Sequence, residues 1–461
     1  MNLDKTKIAL LNSHSRNLNR RQFVGLGLAT ATSSVLLPTF GANLFTSPSA
    51  LAHPNDKFVA YLGFDLAGGA ALPGNFLVGG KGGPEDLLNS YNTLGWKPKT
   101  DGWDSRFGLP MAKANVSKIF DGLTQAMSPE AQKNFKMASL LTTSRDDTSD
   151  NPLSILELLA SSKLHIGNTT SKPLGTVFSA SGGNSRGVLS VPQFAPRTIK
   201  SYTDLKLIKS ISNAIDGLTP THLENFIRTL KRVSSRQAEQ LLASNQIGIL
   251  ENSYQEISKL VGNHNALDPR TYGDIQNVYN ISANSAETSN DVVRSGIVNC
   301  VLSRITGPAV ITIGGCDYHD GSITSGDNKD LEIGREIGRA VELAHRRKVP
   351  LFIHVYTDGG CGASTDRRNW SSDNGEKSMV VIGLYDPTGE NTFRSSKSIQ
   401  IGDYTNGQGI NRDTLIGASS SRASYAVFAN YINACGKIGQ LDQYTPRIFS
   451  STELETILTF S

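Results

Sequence analysis

A net charge of either sign is missing from most of this chain. Of 461 residues, 45 are Lys or Arg and 41 are Asp or Glu, a formal +4. Residues 1–52 hold Lys5, Lys7, Arg16, Arg20 and Arg21 against Asp4 alone, which leaves 40 basic and 40 acidic residues in the remainder. A neutral body gives no electrostatic argument for nucleic-acid binding. Long apolar runs are missing too: after residue 52 no stretch reaches the roughly 20 residues that a membrane-spanning helix requires. There is no internal repeat and no low-complexity tract, so repeat arrays are excluded. Histidine is scarce, at eight, and cysteine scarcer, at four. What remains, 38% hydrophobic and 19% charged, can build a large core, as one α/β domain with an insertion or as two domains.

The excess positive charge belongs to a leader-like segment. Asn19-Arg20-Arg21-Gln22-Phe23-Val24 sets an arginine pair ahead of a moderately apolar run, and Ala50-Leu51-Ala52 offers a small-x-small cleavage site before His53. Glycine, serine and threonine dilute that run and Pro38 interrupts it, so it makes a poor membrane anchor. Residues 1–52 read as a twin-arginine export signal, with an ordinary secretory signal or an uncleaved anchor as the alternatives. Residues 53–461 are then expected to be periplasmic or secreted, with no integral span after cleavage.

The stretch from Ala309 to Gly360 organises the rest. It reads as an apolar strand, a polar loop, an amphipathic helix and a second apolar strand, the unit that builds a parallel sheet. Each strand runs into a polar cluster, Gly314-Gly315-Cys316-Asp317-Tyr318-His319-Asp320 and Tyr356-Thr357-Asp358-Gly359-Gly360-Cys361. Ligands of open α/β sheets bind beyond such carboxyl ends. Asp317 and His319 stand two apart, so an extended backbone turns both to one side, as half of a metal site. Cys316 and Cys361, each after a strand, are placed to bridge or to share a metal; alternatively Cys300, Cys316, Cys361 and Cys435 are reduced thiols packed as small hydrophobes.

Elsewhere, Lys57 to Phe64 reads as a buried strand ending in Asp65 and the turn Gly68-Gly69, where backbone can approach a ligand closely. Ala112 to Met127 has helical spacing. Met137 to Leu141 is another strand, and Thr142 to Pro152 leads from it into the helical stretch Leu153 to Ala160. Hydroxyls beside carboxylates at a helix start suit an oxyanion, or simply cap the helix. From about 200 to 262 the pattern is helical with no strand, which reads as an insertion. Asp291 to Arg304 and Ser419 to Ala434 are further helices, and Met379 to Tyr385 is a further strand. Arg367 and Arg368, in a long polar loop, suit an anionic substrate or form a solvated charge pair.

Together the export signal, FDLAGGAA, SRDDTSDNP, GGCDYHD and SSDNGEKSMVVIG resemble a bacterial family, the twin-arginine-exported domain of unknown function distantly related to the alkaline phosphatase and sulfatase superfamily. The resemblance covers most of the chain after residue 52, through short motifs. It implies an α/β fold with a mostly parallel central sheet and helices on both faces, alkaline phosphatase-like, plus the helical insertion. In that family the segment matching GGCDYHD usually reads GG-x-D-x-H, and the one matching Asp373-Asn374-Gly375 reads Asp-His-Gly, so here one histidine is absent. The superfamily's hydrolases hold two divalent metals on aspartates and histidines and attack with a serine, a threonine or a modified cysteine. The resemblance thus implies Asp65, Asp317, His319, Asp358 and Asp373 as metal ligands and Ser144 or Thr148 as nucleophile. Asn374 can offer a carbonyl oxygen to calcium or magnesium but replaces a zinc ligand poorly.

The absent histidine divides the functional expectation. One reading is an exported protein with a degenerate metal site and a binding or assembly role, its ligand a small anionic molecule or an exported protein partner. The other is a metal-dependent hydrolase of phosphate or sulfate esters, using calcium, magnesium or zinc. A third is one calcium that only stabilises the strand-end loops.

Overall fold

Runs rich in β-branched and aromatic residues form the strands. The computed structural model describes residues 58–88, 91, 97–113, 116–145, 151–162, 174–176, 197–205, 268–303, 307–318, 323–363, 370–371, 374–407 and 409–461. Eight strands make the main sheet: β1 Ala60–Ala67, β2 Phe135–Leu140, β3 Leu174–Thr176, β4 Arg197–Ile199, β5 Ala309–Gly314, β6 Leu351–Thr357, β7 Val380–Tyr385 and β8 Gln400–Ile401. Their order is β8-β2-β7-β6-β1-β5-β3-β4. β1 pairs in parallel with β5 and β6, β3 with β4 and β5, and β8 with β2. Among the described residues β7 is the one antiparallel strand of this sheet, between β6 and β2.

The principal helices are α1 Lys118–Ala126, α2 Leu156–Ser162, α3 Asn290–Leu302, α4 Ile323–Arg347 and α5 Ser420–Ala434. Side chains alternate along each strand, and the alternation builds two cores. Ala60, Leu62, Phe64 and Leu66 of β1 join one core with Ile119 of α1, Ile297 of α3 and Ile337 of α4. Tyr61 joins the other with Leu156 of α2 and with Phe428 and Tyr431 of α5. Helices therefore cover both faces, which is why these strands carry apolar residues at nearly every position.

In α4, Ile333, Ile337, Ala340, Val341 and Ala344 recur at helical spacing and are buried, while His345, Arg346 and Arg347 occupy the last turn, where positive charge complements the helix dipole. α1 packs so closely on α4 that a Cβ at Gly334 would lie 2.1 Å from the Ile119 carbonyl oxygen. Only glycine fits there without moving backbone.

The structure is α/β with a mostly parallel sheet, as the patterns imply, but several boundaries move. The helix expected from Ala112 starts at Lys118, because Ser117 caps it and Met111–Ala112 pairs with Trp103–Asp104 as a ribbon. β1 runs on to Ala67, so Asp65 lies inside the strand, opposite Thr312 and Tyr356, and not at its end. Of the insertion, Tyr202–Leu205 is helical, and residues 206–262 lie outside the described residues, as does the signal segment 1–52. Among the described residues no helix is long and apolar enough to cross a membrane.

Candidate functional site

β1, β2, β5 and β6 point one way and β7 the other. The carboxyl ends of four strands and the amino end of β7 therefore share one rim, and hydrogen bonds tie their loops together. Gly68 N, just after β1, donates to Asp358 Oδ1, just after β6, at 2.6 Å. Ala70 N donates to Thr357 Oγ1 at 2.8 Å, and the same hydroxyl donates to the Leu66 carbonyl at 2.9 Å. Cys316 N, after β5, donates to the Ala67 carbonyl. Asn374 N, before β7, donates to the Gly360 carbonyl, and Ser144 N, after β2, to that of Gly375.

Gly68 is the pivot. Its φ of 103° belongs to the region that side chains avoid. A Cβ there would also lie 3.0 Å from Asp317 Cβ. The glycine therefore lets Asp317 pack on one side while Asp358 accepts its N–H on the other, a charge-assisted bond of the stronger kind. Two of the expected ligands thus meet at one residue. Asp65 is 3% exposed within β1, on the face of Tyr61. His319, Asp373, Thr148, Arg367 and Arg368 lie outside the described residues. Among the described residues no three His, Cys, Asp or Glu side chains are arranged to hold a metal. Asp317 and Asp358 offer oxygens of the kind a hard cation such as calcium or magnesium takes.

Ser144 is committed to the scaffold. Its hydroxyl donates to the Thr357 carbonyl at 2.8 Å and accepts from Gly359 N at 3.1 Å, with the residue 7% exposed. All four cysteines are free and buried. Burial, with Asp330 nearby, pushes the Cys316 thiol well up, so it stays protonated. His354 has 0% exposure in the core of α2 and α5. Its Nδ1 is 2.8 Å from the Tyr61 hydroxyl, and burial pushes its pKa down to about 3. His345 reaches the Tyr385 hydroxyl at 3.0 Å. Both of these histidines lie away from the rim loops, and the buried Nε2 of His354 has no hydrogen-bond partner among the described residues.

Sequence reasoning missed a second polar group behind the rim. Asp330 of α4 is 3% exposed, and its Oδ2 accepts from Tyr318 OH at 2.7 Å and from Asn75 Nδ2 at 2.8 Å. Asn75 Oδ1 accepts in turn from the Ser117 hydroxyl and Ile119 N at the start of α1. Tyr318 adopts φ 53°, unusual for an aromatic residue. Burial pushes the Asp330 carboxyl up to about 7, against the lowering effect of its two donors. One signal was available: an acid flanked by Ile323, Ile333 and Ile337 on a helix that turns an apolar face to the sheet. Lys377, before β7, lies across Gly362, where a Cβ would be 2.5 Å from its Cδ, and burial pulls its ammonium pKa down. No protein-family model matches this chain and no curated protein matches it.

Proposed function

We propose that the chain is an exported binding protein whose sheet is of the alkaline phosphatase and sulfatase kind. Its strand-end rim holds a divalent cation and, through it, a small anionic ligand or an acidic group of an exported protein partner. The single observation that carries the binding role over hydrolysis is the Ser144 hydroxyl, which gives its proton to the Thr357 carbonyl and its lone pair to Gly359 N. A serine nucleophile must surrender that proton to a base as it attacks, and doing so here would undo a tie between two strand-end loops. The approach of Asp317 and Asp358 to Gly68 supports cation capture. The arginine pair and apolar run of residues 1–52 support export.

The competing reading, ester hydrolysis, draws on the same pair of carboxylates, with Thr148 as its nucleophile. Calorimetric titration of the purified protein with calcium, magnesium and zinc, alongside turnover of an aryl phosphate and an aryl sulfate, separates the two. Saturable binding that Asp317→Ala and Asp358→Ala abolish, with no turnover, is the expected result. Turnover that survives Ser144→Ala and fails in Thr148→Ala gives the site to hydrolysis. No binding of any cation removes the rim from both readings.

A further inference from the structure

Among the described residues β8 is an edge strand, paired with β2 alone. Beside it opens a cavity of about 240 Å³, smaller than the roughly 300–1,000 Å³ of a drug-sized pocket. Ile401, Ile416 and Ile457 line it and belong to the core under α5. Lys81 and Lys397 line it too, and both are exposed. Each lysine comes from a segment that hydrogen bonds hold in place. Gly79 N donates to Gln400 Oε1 at 3.0 Å, and Gln400 Nε2 donates back to the Gly79 carbonyl at 3.1 Å, so an amide of β8 clamps the loop that carries Lys81. That loop closes tightly on itself. Gly82 N donates to Asp86 Oδ2 at 2.9 Å, and a Cβ at Gly79 would lie 1.8 Å from the Gly83 carbonyl oxygen. Lys397 sits in the turn Ser396–Ile399, where the Ser398 hydroxyl shares its proton between the Ser395 and Thr459 carbonyls.

We propose that this cavity binds a small amphiphilic anion, a sulfate or carboxylate carried on a short alkyl chain, with its head group at Lys81 and Lys397 and its chain on the three isoleucines. Among the described residues neither lysine is engaged in an ion pair or a side-chain hydrogen bond. The one carboxylate among the described lining residues, Asp403, follows β8 whereas Lys397 precedes it, and it accepts from Asn411 Nδ2 at 2.8 Å. Two cations against one hydrogen-bonded carboxylate leave the lining net positive. An ammonium is a compact point charge without the planar fork of a guanidinium, so it selects for charge and accepts sulfate and carboxylate alike. The apolar floor sets the other half of the preference. A bare oxyanion gains nothing from it, and each methylene laid on it is worth about fourfold in affinity. None of these residues belongs to the rim, so the inference stands apart from the role proposed above.

Isothermal titration calorimetry of the full chain with butyl sulfate, hexyl sulfate and inorganic sulfate tests this. Hexyl sulfate should fill one saturable site. Butyl sulfate, two methylenes shorter, should bind more weakly by up to about 16-fold, and inorganic sulfate should not bind in the same range. Lys81→Gln combined with Lys397→Gln changes only exposed side chains, so the variant should fold as the unaltered protein does. It should bind hexyl sulfate about tenfold more weakly. Hexylammonium, of the same chain length and opposite charge, should not bind. Asp317→Ala and Asp358→Ala should bind hexyl sulfate as tightly as the unaltered protein, and loss of binding in either moves the ligand to the rim and overturns the second site. The proposal is equally overturned by the absence of saturable binding, by equal affinity in the double lysine variant, or by inorganic sulfate binding as tightly as hexyl sulfate.

Discussion

Two buried polar clusters in this protein face the same physics and end in opposite positions. In the first, His354 of β6 sits in the core under α2 and α5, with Tyr61 at one nitrogen and the Tyr356 ring tilted by 36° against it at 4.6 Å. In the second, Asp330 of α4 holds Tyr318 and Asn75 behind the strand-end loops. Burial penalises the charged form of each. For a base this moves the pKa away from neutrality, down to about 3 for His354. For an acid it moves the pKa toward neutrality, up to about 7 for Asp330. A buried histidine here is a fixed neutral packing element, and the buried aspartate is the group that changes state in the ordinary pH range. Scanning for histidines as pH sensors would choose the wrong residue.

The comparison breaks most visibly in stability against pH. His354, ordinarily 6.5, is depressed in the native state, so its contribution is present above 6.5 and lost as pH falls toward 3. Asp330, ordinarily 3.8, is raised, so its contribution is present below 3.8 and lost as pH rises toward 7. Between about pH 4 and 6.5 the two slopes oppose each other, each worth about 1.4 kcal/mol per pH unit. Relative to the unaltered protein, His354→Phe should therefore lose about 3 kcal/mol across that window as pH rises, and Asp330→Asn should gain as much. Urea unfolding at pH 4, 5 and 6.5 measures both, and parallel curves for the two variants would erase the distinction.

Next in size is a matched pair of glycines. Gly326→Ala drives a methyl into the Tyr318 ring and should cost about 1–3 kcal/mol despite the helix propensity of alanine. Gly63→Ala, beside the other cluster, meets Val310 at 3.4 Å and the Tyr61 hydroxyl at 3.5 Å, ordinary contacts, and should stay within about 0.5 kcal/mol of neutral. Thermal melts decide this, and equal losses would mean that the Tyr318 notch is not tight.

The smallest effect sharpens the contrast in kind. Tyr61→Phe leaves His354 Nδ1 without its hydrogen-bond partner and should cost about 1–2 kcal/mol, independent of pH above 6.5. Tyr318→Phe should cost about the same at pH 8 and less at pH 6, where Asp330 is neutral and accepts more weakly. Chemical denaturation at the two pH values compares them, and a pH-independent cost for Tyr318→Phe would put Asp330 in the same class as His354.

Much of this architecture was legible because it is local. The apolar runs at Ala309 and Leu351 became β5 and β6, and the glycine-aspartate clusters after them became rim loops. The convergence of Asp317 and Asp358 was anticipated from the rule that parallel strands end on one side. Asp65 was misplaced by two residues of strand, because Leu66 and Ala67 continue the pairing that a following glycine turn suggested had stopped. Ser144 was expected as a nucleophile from its hydroxyl and carboxylate neighbours, which look alike for chemistry and for loop fastening. Its bonds to Thr357 and Gly359, more than 200 residues away, could be seen only in the folded chain.

The sequence by itself determined the α/β class, the positions of the main strands and the loops that carry the acidic residues, since periodicity and glycine placement act over a few residues. Tertiary structure alone decided that β7 runs against its neighbours, that Asn75 and Tyr318 meet at a carboxyl borne by α4, and which buried group titrates near neutrality. Those outcomes depend on desolvation and on partners brought together across the chain. No local pattern encodes them, because the cost of burying a charge is set by what surrounds it after folding.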